Sequence, residues 1–242
     1  MFPGVAGRVT IDRRFNGPPD SANGGYACGV VAGPIAGPAE VTLRRPPPLD
    51  AEMELVRDGE RVTMLHDGAL VAEAEPVDGG WDVPDPVSVE AARAAGERSP
   101  WTRHHPFPTC FGCGPERGDD ALHCLAGPVE GRELSAVAWM PPAGLADGDG
   151  RVPPEVVWAA LDCPSSAPVA NPPGPDGELR PVVLGRLAVE LRGPVEAGRA
   201  HVVTAWTVAV DGRKRYAGSA LFKAGGELLA SAQALWIELK AG

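Results

Sequence analysis

The chain has 242 residues, a formal net charge of −10 and only three lysines, Lys214, Lys223 and Lys240. That charge pattern lacks the basic stripe needed by a nucleic-acid or anionic-membrane surface. The length suits one large domain or two of about 100–150 residues, able to bury a core without disulfide or metal staples.

The amino terminus shows no basic segment followed by an apolar one, and no apolar run approaches the roughly 18 residues of a membrane span. Five cysteines (Cys28, Cys110, Cys113, Cys124, Cys163) are an odd number without framework-like spacing, which favours reduced thiols. A soluble cytoplasmic protein is expected. The first clear element is Tyr26 to Ala32, an almost wholly apolar helix that must be buried on every side. Alternating segments at Glu52 to Arg57 and Arg61 to Leu65, with the turns Asp58-Gly59 and Asp67-Gly68, predict antiparallel hairpins. Pro76 to Pro108, rich in Pro, Ala and charge, reads as a linker with one helical turn near Val89 to Ala95.

The same order of parts then returns. Val156 to Leu161 is a second apolar helix, Asn171 to Pro181 a Pro/Gly-rich surface loop, and His201 to Val210 and Arg215 to Phe222 are strands joined at Asp211-Gly212. Two short matches keep that order: Val41-Thr42-Leu43-Arg44-Arg45-Pro46 with Val189-Glu190-Leu191-Arg192-Gly193-Pro194, and Gly68 to Ala74 with Gly226 to Ala232. They predict a duplicated α+β unit, residues 1–100 including the linker and residues 101–242. In each unit an antiparallel sheet wraps a central helix, and the two sheets join as an intrachain pseudodimer.

Three segments resemble the hotdog superfamily, in its phenylacetyl-CoA-thioesterase-like branch. Cys110-Phe111-Gly112-Cys113-Gly114-Pro115 resembles the segment before the branch's first strand. Val156-Val157-Trp158-Ala159-Ala160-Leu161-Asp162 resembles its central helix carrying the acid, and Asn23-Gly24-Gly25 resembles the His-Gly-Gly that opens that helix. The resemblance implies a double hotdog that hydrolyses an acyl thioester of coenzyme A or acyl-carrier protein, without cofactor or metal, with a homodimer of such double hotdogs as a further expectation. In the family pattern the acid lies nine positions after the first residue of His-Gly-Gly. Nine on from Asn23 is Ala32, and nine back from Asp162 is Pro153, so each half has lost what the other kept. One composite site, built from Asn23-Gly24-Gly25 and Asp162 across the two halves, follows from that complementarity.

Gly24 and Gly25 at a helix N-terminus suit an oxyanion, with Asn23 as cap or carbonyl donor. Asp162 interrupts an apolar helix, where a carboxylate is paired, hydrated or functional, and it serves as base or as nucleophile. Its bland alternative is a cap or turn residue beside Pro164. Ser166, one turn on, is a second catalytic candidate, with Ser165 its rival for the substrate. Asn16 and Asp20 in the preceding loop, Tyr26, and Trp158 as an acyl-pocket wall complete the substrate-binding set. Cys110 and Cys113 with His123-Cys124 have the composition of zinc ligands, but a turn with two buried thiols is the simpler reading. Arg213-Lys214-Arg215 is a candidate for coenzyme A phosphates. The competing functions are an acyl or small-metabolite binding protein on the same fold and a hydratase or dehydratase, which lacks its histidine near Asp162.

Overall fold

The computed structural model describes residues 4–170 and 181–239. Its first half runs β1 (Gly4–Thr10), α1 (Gly24–Ala32), β2 (Ala39–Leu43), β3 (Glu52–Asp58), β4 (Arg61–His66) and β5 (Ala69–Pro76). After α2 (Val89–Glu97) and the short β6 (Gly127–Pro128) come β7 (Ser135–Trp139), α3 (Pro154–Ala170), β8 (Val182–Leu191), β9 (His201–Asp211), β10 (Lys214–Lys223) and β11 (Leu228–Glu238). The predicted hairpins form where the turns allow them. Asp67 and Gly68 both take positive φ, at 49° and 73°, which is the two-residue turn whose twist suits antiparallel strands. The loop expected at Asn171 to Pro181 lies, but for Pro181, outside the described residues.

All the strands join one 11-stranded sheet in the order β1-β3-β4-β5-β2-β8-β11-β10-β9-β7-β6. The two sheets expected to join do run on as one, and the junction has a simple cause. Without each other, β2 and β8 would both be unpaired edges. Residues Ala39 to Thr42 instead pair antiparallel with Val189 to Arg186, closing both edges at once.

The segments matched in sequence make the same backbone hydrogen bonds. Arg44 and Arg45 donate to the Val71 carbonyl at 2.8 and 3.2 Å, while Arg192 and Gly193 donate to the Leu229 carbonyl at 2.7 and 3.2 Å. Val41 pairs with Ala74 and Val189 with Ala232 in the same register. At the junction, Val41 faces Leu187 and Ala39 faces Val189, on either side of Glu40 opposite Ala188. The residues matched in sequence thus exchange places across a local two-fold relation.

The two apolar helices α1 and α3 lie antiparallel on one face of the sheet. Gly25 abuts Trp158, Ala159 and Asp162, and Gly29 abuts Glu155. A methyl group on Gly29 would stand 2.5 Å from the Glu155 Cα, so these glycines set how closely the helices approach. Helix α3 runs well past the predicted Val156 to Leu161, through Pro164 and Pro168. Hydroxyls satisfy the carbonyls of the disturbed turn: Ser219 bonds the Leu161 carbonyl at 2.8 Å, Ser165 that of Asp162 at 2.6 Å, and Ser166 that of Cys163 at 2.7 Å. Helix α2, capped by Ser88, packs Ala92 and Ala95 against Leu134, Ala136 and Val202 on the outer face of the sheet. No helix among the described residues is long and apolar enough to cross a membrane.

Candidate active site

A cavity of about 390 Å³ opens between the start of α1 and the middle of α3. Its floor comes from the start of α1 (Asn23, Gly24) and the middle of α3 (Asp162, Cys163, Ser166), and its sides from Leu43 to Pro47, Val182 to Gly185 and Trp236-Ile237. The remaining wall is the segment between α2 and β6, through Trp101, His105, Phe107, Cys110, Cys113 and Cys124.

Asn23 caps α1, its Oδ1 accepting the Tyr26 N–H at 2.9 Å. Its Nδ2 faces the sulfurs of Cys163 at 3.5 Å and Cys110 at 3.7 Å, so the amide is directed at thiols rather than at a substrate carbonyl. Gly25, one turn-start later, donates its N–H to Asp162 Oδ2 at 2.8 Å. This bond between the halves needs a bare backbone, because a Cβ on Gly25 would lie 2.4 Å from the Asp162 Cβ. The Gly25 amide therefore holds the acid and is not a free oxyanion donor. Gly24 lines the cavity, in the first turn, where N–H groups have no intrahelical acceptor.

Asp162 is only 2% exposed. Burial pushes its carboxyl up to about 7 and the nearby Cys110 sulfur adds to the rise, while the Gly25 N–H and, more weakly, the Asn23 side-chain amide pull against it. Among the described residues its buried Oδ1 meets no hydrogen-bond partner of normal geometry. A carboxylate with one oxygen pinned and the other bare is poised to take a proton or attack a carbon. Ser166 also faces the cavity, with its hydroxyl hydrogen on the Cys163 carbonyl and its lone pairs free to accept.

Other expected site residues lie elsewhere. Ser165 is fully buried, donating to the Asp162 carbonyl and accepting from Trp236 Nε1 at 2.8 Å, so it supports the cavity wall from behind. Tyr26 stacks on Phe15 with ring centroids 3.9 Å apart, and Phe111 meets both rings edge-on. Burial pushes its hydroxyl up to about 12. Trp158 is buried between the helices against Gly25 and Gly29 and does not line the cavity. Asn16 is buried in a bridge between segments, accepting from Arg117 at 2.7 Å and donating to the Gly17 carbonyl. Asp20 is exposed outside the cavity.

The arginine cluster at the last hairpin is also committed elsewhere: Arg215 pairs with Glu238, and Arg213 bonds the Glu238 carbonyl at 3.2 Å. The cations at the cavity are Arg44 and Arg45. Arg44 bonds Glu73 at 2.7 Å. Arg45 is exposed and makes no ion pair among the described residues. His123 is exposed at a positive φ of 52° with its ring on the Gly118 carbonyl at 3.0 Å, so it is no partner for Cys110 and Cys113.

Solved structures share this arrangement of helices and strands. A protein of Novosphingobium aromaticivorans, provisionally described as a thioesterase, superposes with a TM-score of 0.60 at 13% identity, over 96% of this chain and 95% of that one. A conserved protein of unknown function with a hot dog fold from Alicyclobacillus acidocaldarius gives 0.59 at 11% identity, over 100% and 97%. The chain has a hotdog fold. Acyl-CoA thioesterase II of Mycobacterium marinum matches it at a TM-score of 0.55 and 14% identity, over 97% of this chain and 93% of that one. No family model matches the chain, and no curated protein matches it. At 11–14% identity these whole-length likenesses are likenesses of fold.

Proposed function

We propose that this hotdog chain hydrolyses an acyl thioester at the cavity between its halves, residues 1–100 and 101–242 acting as an internal pseudodimer. The observation that carries the reading is the Gly25 N–H on Asp162 Oδ2, which leaves the buried Oδ1 unpaired in a residue that lines a cavity large enough for an acyl group. The whole-length likeness to an acyl-CoA thioesterase II favours the same class of substrate.

In this reading the thioester carbonyl lies over Gly24, whose first-turn N–H stabilises the developing oxyanion. Asp162 Oδ1 either removes a proton from water as it attacks the carbonyl carbon or attacks that carbon itself. Either path breaks the carbon–sulfur bond and releases the thiol, and the second passes through a mixed anhydride that water then opens. Trp236, Leu184, Ile237 and Phe107 supply apolar walls for the acyl chain. The other half cannot repeat this, since Ala32 stands where Asp162 stands in its own helix.

Free-thiol release from short, long and aromatic acyl-CoA thioesters tests the proposal. Turnover of at least one class is expected; saturable binding of the thioesters without turnover would instead make this a binding protein. Arg45 is the cation best placed for a coenzyme A phosphate. Arg45→Ala should raise KM about two- to five-fold with kcat unchanged, a weak salt-dependent contribution typical of an exposed charge. An unchanged KM across ionic strengths would take Arg45 out of substrate binding.

A further inference from the structure

One side of the cavity holds a second cluster of chemistry. Cys110 and Cys113 from the segment between α2 and β6 and Cys163 from α3 bring their sulfurs within 4.8 Å of one another. Cys110 Sγ lies 3.8 Å from Cys163 Sγ. A disulfide bond is about 2.05 Å long, so this is not one. Sulfurs bound at about 2.3 Å to a tetrahedral zinc lie about 3.8 Å apart.

Hydrogen-bond donors meet all three sulfurs. Asn23 Nδ2 faces Cys163 and Cys110, and His105 Nε2 lies 3.2 Å from Cys113. Neutral buried thiols do not require such donors, whereas thiolates do. The backbone is shaped for the approach. A Cβ on Gly112 would stand 2.4 Å from Cys163 Sγ, and one on Gly114 would stand 2.5 Å from the Cys110 nitrogen.

We propose that Cys110, Cys113 and Cys163 hold one zinc ion as thiolates, with the fourth coordination position facing the cavity that all three line. Soft sulfur ligands select zinc over magnesium or calcium. His105 supports the site without being a ligand. Its Nδ1 accepts the Phe107 N–H at 2.9 Å, so its ring proton sits on Nε2 and is given to the Cys113 sulfur. An imidazole bound to metal through Nε2 would carry its proton on Nδ1 instead. The ion ties this wall of the cavity to α3 at the residue after Asp162. Three protein ligands and an accessible fourth position are the pattern of zinc sites that take an exogenous ligand. Metal content is read without turnover, so this inference and the thioesterase reading stand or fall separately.

Elemental analysis of the full chain, purified under reducing conditions from zinc-supplied cells, is expected to find about one zinc per chain. After chelator stripping, Co²⁺ should give the absorption of tetrahedral thiolate-bound cobalt. Cys163→Ser should abolish both signals, while Cys28→Ser, whose thiol lies outside the cluster, keeps them. His105→Ala should weaken zinc binding about 10–100-fold without abolishing it. Wild-type protein that is folded by circular dichroism yet binds neither zinc nor cobalt overturns the proposal. So does a Cys110–Cys163 disulfide found by mass spectrometry in protein isolated without reductant. Loss of metal in His105→Ala as complete as in Cys163→Ser would overturn the three-thiolate coordination.

Discussion

Asp162→Asn is expected to lower thioester hydrolysis by about 10²–10⁴-fold while leaving the fold as stable as the wild type, or more so. The asparagine is nearly isosteric, and its Oδ1 can still accept the Gly25 N–H that Asp162 Oδ2 accepts at 2.8 Å. What it loses is the bare Oδ1, the atom that would take a proton or attack carbon. Stability should not fall, because the wild-type carboxylate is 2% exposed with one oxygen unpaired, and such a group costs the folded state whenever it is charged. The pairing of lost activity with retained melting temperature separates a reacting acid from a structural one. Thiol release from acyl-CoA and a thermal melt on the same preparation read both. Hydrolysis at the wild-type rate in a folded Asp162→Asn protein removes the residue from the mechanism.

The parts of this molecule that were legible in sequence are those where local chemistry leaves little choice. Asp67-Gly68 had to turn, and the strands around it had to pair. Val41 and Val71 found their equivalents in Val189 and Leu229 because the same backbone bonds recur in both halves. Asp162 stood out as the one charge inside an apolar run, and Gly25 as a glycine at a helix start, so their meeting could be anticipated from the loss of complementary residues in each half. Orientation on those helices was not legible. A helix apolar on all faces offers no periodicity to say which side meets the cavity, so Tyr26 and Trp158 were expected at the substrate and are found in the core. The cavity wall between α2 and β6 was hidden for another reason. Trp101, His105 and Phe107 sit in a Pro- and charge-rich stretch that reads as a spacer, and Cys163 lies far along the chain from the Cys110–Cys113 pair it meets. Only the antiparallel packing of α1 and α3 at the junction brings those segments together.

Gly25→Ala carries the second large effect, on stability and activity together. The added methyl would meet the Asp162 Cβ at 2.4 Å, the Trp158 carbonyl oxygen at 2.7 Å and the Ala159 Cα at 3.0 Å. Two of these three are backbone atoms, so no side-chain rotation relieves the clash and the helices must move apart. Overpacking of this kind costs about 1–3 kcal/mol, and each kcal/mol lowers Tm by roughly 2–4 °C in a chain of this size. Separation also stretches the Gly25 N–H bond that fixes Asp162, so activity should fall beyond what partial unfolding explains. Gly29→Ala is the matched control. Its methyl would stand 2.5 Å from the Glu155 Cα and 3.1 Å from the Trp158 Cβ, a similar strain at the end of the contact away from the acid. Both variants should lose comparable Tm, and kcat measured well below either melting point should drop further in Gly25→Ala. Equal losses of kcat would reduce Gly25 to a packing residue and leave the acid positioned by α3 alone.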